Sequence, residues 1–165
     1  ATRSGKSLQQ VVDERAQKLP NCSETQGVLT LSGHYEVTSE MFFPGDCKIS
    51  TQGAVEVQLN APISFEGEVR LLGTVAFTAK GPLPGPCVTM GSCMAHPRSS
   101  TNFSGCENNL LLADYFRKDG MGTKGQAGAL NIQRDLHLIG GSMNFASCST
   151  ANNGGALYIG GTFYM

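Results

Sequence analysis

From Gly27 to Lys80 the chain alternates in short bursts. Val55, Val57 and Leu59 are apolar and Glu56 and Gln58 between them are polar, which turns one face of an extended segment to a core and the other to water. Segments 28–31, 35–37, 55–59, 63–65, 68–72 and 75–78 are short, β-branched or aromatic, and separated by Gly, Pro or Asn, so they predict strands. Strands this short and close suit the turns of a coil; an antiparallel β-sandwich would show a similar series. Ahead of them the periodicity is helical. Leu8, Val11, Val12, Arg15 and Leu19 share one face, Ser7 can cap the start and Pro20 closes the end. The pattern predicts a short helix over about 8–18, in an N-terminal region 1–20 that would cap one β domain spanning 21–165 or dock on a partner chain.

Towards the C-terminus the pattern repeats itself. Phe145-Ala146-Ser147-Cys148, with Asn152 and Asn153 behind it, echoes Phe103-Ser104-Gly105-Cys106 with Asn108 and Asn109. Gly128-Ala129-Leu130-Asn131-Ile132 returns 27 residues later as Gly155-Ala156-Leu157-Tyr158-Ile159. Recurrence at such spacings is the mark of stacked repeats. In a coil of parallel strands each turn lies on the last, with equivalent residues roughly 4.8 Å apart. Phe103 is then expected to stack on Phe145 and Leu130 on Leu157, with Asn108 and Asn109 forming amide ladders with Asn152 and Asn153 at a corner.

These residues resemble the repeats of the polymorphic outer membrane protein (Pmp) passenger domains, whose paired motifs are F-x-x-N and G-G-A-[ILV]. The likeness covers about residues 101–165. Cys stands in place of the Asn in both copies, and the first G-G-A is reduced to Ala127-Gly128-Ala129. The resemblance implies a right-handed parallel β-helix with a surface, adhesive or scaffolding role; such motifs describe stacking more than function.

Composition narrows the picture. The 165 residues carry 12 basic and 13 acidic side chains, a formal charge of −1, which offers no attraction for nucleic acid or an anionic membrane surface. No run approaches the roughly 18 apolar residues of a membrane span. Glycine is frequent, at 21 residues, as the corners of a coil require. The sequence begins at Ala1 and stops at Met165 within what reads as another strand, so something is expected to cover that last turn.

The six cysteines form no C-x-x-C pair. Stacked placement predicts a Cys106–Cys148 disulfide, the short Gly- and Met-containing loop predicts Cys87–Cys93, and elimination leaves Cys22–Cys47; the alternative is buried free thiols. Such bridges imply an oxidising compartment: secreted, at a cell surface, or in an organelle lumen such as that of a thylakoid. Two excursions from the coil are expected. One spans about 81–101 after the Pro-rich Gly81–Pro86; the other spans about 110–125 and offers Tyr115, Phe116 and Arg117, with Phe163 and Tyr164 at the end, as interface residues.

Catalytic patterns are sparse. Gly5-Lys6-Ser7 lacks the first glycine and the strand of a phosphate loop. His34, His96 and His137 have no i, i+4 partners, and His137 between Leu136 and Leu138 reads as a solvent-facing strand residue. Glu66 and Glu68 are the closest pair of strand carboxylates, as a carbohydrate-active β-helix enzyme would need, and a solvated edge explains them equally well. Asn21-Cys22-Ser23 and Asn102-Phe103-Ser104 are glycosylation sequons. The expectation is a module without catalysis, cofactor or metal that docks on a larger complex as an accessory subunit, or alternatively an adhesin-like repeat engaging a cell-surface partner.

Overall fold

The computed structural model describes residues 16–110, 127–150 and 155–165. In chain order they form β1 (Gln17–Lys18), a 3-10 turn (Cys22–Thr25), β2 (Val28–Val37), β3 (Met41–Phe43), β4 (Cys47–Leu59), β5 (Ile63–Leu71), β6 (Thr74–Ala79) and β7 (Val88–Ala95). There follow β8 (Ser100–Ser104), β9 (Glu107–Asn108), β10 (Leu130–Ile132), β11 (Leu136–Leu138), β12 (Ser142–Ala146), β13 (Ser149–Thr150), β14 (Leu157–Ile159) and β15 (Phe163–Tyr164). Every strand pair among them is parallel. The chain is a β-solenoid of about five turns, and the antiparallel sandwich is set aside.

The registers resolve three walls. The first stacks residues 28–31, 48–51, 69–71, 93–95, 136–138 and 163–164. In the second, 17–18 lie under 35–36, followed by 55–59, 74–79, 100–104 and 142–146. Residues 41–43, 63–65, 88–90, 130–132 and 157–159 make the third. Long strands such as β2, β4 and β5 bend round corners and serve two walls each. A turn takes 22 residues from Tyr35 to Val57, 20 from Val57 to Phe77, 26 from Phe77 to Phe103 and 42 from Phe103 to Phe145. The coil therefore tolerates insertions of very different length at its corners, because only the wall segments must match.

Alternation places the core inside the walls. Phe77, Phe103 and Phe145 form a continuous column with ring centroids 5.3 and 5.2 Å apart, and Phe43 stacks on Phe65 at 4.5 Å. Such contacts add about 0.5–1.5 kcal/mol each beyond the area they bury. The corners need small residues. A Cβ on Gly91 would strike the Glu66 carbonyl oxygen, and one on Gly67 would strike the carbonyl of Gly45. Corner acids also serve the next turn: Asp46 Oδ1 accepts from the Glu68 N–H at 2.8 Å, and Asp135 Oδ1 from the Thr162 N–H at 2.7 Å.

Several expectations need correction. Gln17–Lys18, the end of the expected helix, is instead a strand under Tyr35–Glu36; residues 8–15 lie outside the described residues. The cap that is described is Leu19, buried, followed by the 3-10 turn, whose Asn21 side chain accepts from the Ser23 N–H. The expected 81–101 excursion shrinks to the Pro-rich stretch, since β7 and β8 belong to the walls. Alternation is weak where Val88-Thr89-Met90-Gly91 is buried on both faces, so this strand carried no period-two signal. Of the expected second excursion, Leu110 is described and buried, and 111–125 lie outside the described residues.

Candidate functional site

The two ends of the coil differ. At the lower end Leu19 and Cys22 are buried, and Cys22 is bridged to Cys47. Asn21 Nδ2 donates to the Phe42 carbonyl at 3.0 Å and Gln17 Nε2 to that of Ser32 at 2.8 Å, so side chains occupy backbone acceptors of the lowest turn. A broad groove of about 870 Å³ runs beside this cap between residues 16–24 and 36–42.

At the upper end, β12, β13, β14 and β15 each pair only with the strand below, with no described strand above. Their inward residues repeat those of the turn beneath but are not covered. Phe103, Leu130, Ile132 and Leu136 are buried, whereas Phe145, Leu157 and Ile159, one turn higher, are only partly so and Phe163 is 41% exposed. Tyr164 at 47%, Ile139 at 47% and Met165 at 94% extend the apolar rim. No Asp, Glu, Lys or Arg occurs from Leu136 to Met165. Exposed sheet edges are usually guarded by charge, and this one has none.

Of the residues singled out from sequence, the stacking core is brought together as expected. Phe103 lies on Phe145 with an interplanar angle of 7°, and Leu130 lies opposite Leu157. Phe163 and Tyr164 are exposed at the open end, where Tyr164 stacks on His137 at 4.4 Å. Tyr115, Phe116 and Arg117 lie outside the described residues, as do Asn152 and Asn153.

Of the expected asparagine ladder, the register of the lower layer is described and Asn152 and Asn153 are not. Asn108 lies opposite Thr150, because the turn between these positions is 42 residues. Buried Asn108 accepts from the Leu110 N–H at 2.9 Å and donates to the Ala127 carbonyl at 2.9 Å. Asn109 uses its N–H on the Leu83 carbonyl. An amide ladder does occur on the second wall, where Asn144 Nδ2 donates to Asn102 Oδ1 at 3.0 Å.

The disulfides follow a different rule from the one expected. Cys22 pairs with Cys47 as anticipated; Cys87 pairs with Cys106, leaving Cys93 and Cys148 as thiols. Each bridge closes one circuit of the coil: from Cys22 or Cys87 the chain passes all three walls before its partner. Cys93 cannot meet Cys87 because it faces the core of the first wall between Val69 and Leu136. In-register neighbours such as Cys106 and Cys148 point the same way about 4.8 Å apart, whereas a disulfide prefers Cβ atoms about 3.8 Å apart. Cys87 meets Cys106 across a corner with Cα atoms 5.9 Å apart.

The remaining ionisable groups are spread out. Glu66 and Glu68 flank the corner at Gly67 instead of sharing a wall, and Glu68 is held by Arg70 at 2.8 Å. His34 sits 3.3 Å from Glu56. Burial, then the charge of Glu68, pushes the Cys93 thiol up to about 12. Among the described residues no three His, Cys, Asp or Glu side chains converge as a metal site, and no helix is long and apolar enough to cross a membrane. Comparison with protein-family models, with curated proteins and with solved structures returned no match to this chain.

Proposed function

We propose that this chain is a structural and interaction module, without catalysis of its own, that docks on a larger protein assembly as an accessory subunit. The observation that carries the reading is the apolar, uncharged and partly exposed turn formed by residues 142–164. Its half-covered Phe145, Leu157, Ile159 and Phe163 make a surface suited to receiving another layer of β-structure. Every part of that layer is specified by its underside: backbone edges to pair and an apolar, uncharged interior to continue. The two disulfides support residence in an oxidising compartment. The Phe-x-x-Cys and Gly-Ala-Leu motifs that resemble Pmp repeats supply these stacking residues, and they support an adhesin-like passenger as the second reading.

A photo-crosslinking side chain settles between them. Placed at Tyr164 in the intact chain and irradiated in extract of its source, it is expected to give one discrete adduct. The same group at Ser50, on the side of the first wall, is expected to give none. A chain that stays monomeric and adduct-free at Tyr164 while binding whole cells would reject the accessory subunit in favour of the adhesin.

A further inference from the structure

Three of the six cysteines meet at one corner, and their stacking gives the unpaired one a role. Gly105 and Ser147 both adopt positive φ, at 69° and 54°, immediately before Cys106 and Cys148, so the two turns share the same local backbone. The Ser149 N–H donates to the Cys106 carbonyl at 2.9 Å, and Ser149 lies opposite Glu107, which sets Cys148 one layer above Cys106. The Cys148 thiol lies against the end of the second wall, 3.7 Å from the Phe103 carbonyl oxygen and 3.3 Å from that of Ala146. By the register Val88 to Leu130, the residue above Cys87 is Ala129. The corner that joins Cys87 to Cys106 thus recurs one turn higher as Ala129 and Cys148. Cys148 is a thiol because its counterpart is alanine, and it lies half-buried one layer above Cys106 of the disulfide.

We propose that Cys148 exchanges with the Cys87–Cys106 disulfide, so that Cys106 alternates between two partners. The Cys148 thiol loses its proton and its thiolate attacks Sγ of Cys106. The Cys106–Cys148 bond forms as the Cys87–Cys106 bond breaks, and Cys87 leaves as a thiolate that takes up a proton. One disulfide and one thiol are present before and after, so no oxidant is consumed. In-register neighbours lie within the roughly 4.4–6.8 Å span of disulfide-linked Cα atoms, although less favourably placed than Cys87, so the first isomer dominates at rest. Exchange moves the staple from the Pro-rich segment to the uppermost turn, fastening the open layer to the one beneath. Unlike the docking reading, it depends only on this corner.

The test uses the intact chain in a buffer of reduced and oxidised glutathione, trapped with N-ethylmaleimide and mapped as linked peptides. Wild-type protein is expected to show Cys87–Cys106 with Cys148 trapped, and a smaller amount of Cys106–Cys148 with Cys87 trapped. Cys148→Ser should abolish trapping at Cys87, and Cys87→Ser should make Cys106–Cys148 the main species. Ala129→Cys should form a second bridge with Cys148 and suppress the exchange. Failure to trap Cys87 in wild type, or trapping that persists in Cys148→Ser, overturns the proposal. Because the wild-type arm needs no substitution, a variant that does not fold leaves the decision intact.

Discussion

At the scale of single residues, two of the buried positions set measurable expectations. Thr101 is buried on the second wall, in register with Val75 below and Met143 above, and its Oγ1 has no hydrogen-bond partner. A buried hydroxyl left unpaired costs on the order of 1–3 kcal/mol. Thr101→Val keeps the shape and removes the hydroxyl, so urea unfolding should show a gain of about 1 kcal/mol; a loss would mean the hydroxyl has a partner. Cys93 is the second. Its thiol is raised from an ordinary value of 9.0 to about 12. The folded state therefore holds the proton more tightly than the unfolded chain does. That contribution is complete below about pH 9 and disappears as pH climbs towards 12, a span worth at most ~4 kcal/mol. Unfolding free energy should fall more steeply with pH in this window for wild type than for Cys93→Ala, and equal slopes would contradict the burial-raised thiol.

At the scale of elements, a wall is a stack, and the position of a layer decides what each side chain contributes. Phe103 has a phenylalanine above and below and is 1% exposed, whereas Phe145 has one only below. Phe103→Ala should cost ~3–5 kcal/mol, the range for an aromatic truncated in a core, and Phe145→Ala less than half of that. Chemical denaturation of the two variants checks the ratio, and equal costs would imply that the upper turn is covered in solution. The bridges add a different kind of support. Closing loops of 25 and 19 residues removes unfolded-state freedom worth about 3 kcal/mol each. They tie layer to layer along the coil axis, and neither spans the 42-residue turn from Phe103 to Phe145.

For the whole molecule, stability is a sum over neighbouring layers, so the ends behave unlike the middle. The lowest described turn holds buried Leu19, the Asn21 side chain on the Phe42 carbonyl and the Cys22–Cys47 bridge. The upper end has exposed Phe163 and Tyr164 and no charged side chain after Asp135. Association there should proceed without electrostatic steering, so raising salt from 50 to 500 mM, about a threefold cut in screening length, is expected to leave the affinity of the docked complex nearly unchanged. A tenfold loss, measured by sedimentation, would move the interface to one of the charged walls.

The sequence alone determined that layers stack and which residues mark them. Phe103 with Phe145, and Gly-Ala-Leu with Gly-Ala-Leu, repeat because a parallel coil repeats the environment of each position, and repetition survives without coordinates. Alternation around Val55 to Leu59 likewise exposed one wall. Only the tertiary structure decided the registers between layers whose turn lengths differ from 20 to 42 residues. That is why Asn108 meets Thr150, and why Cys87 finds Cys106 a full circuit away while Cys93 faces the core. Contacts across a corner depend on where the chain returns after going round, and no local pattern carries that distance.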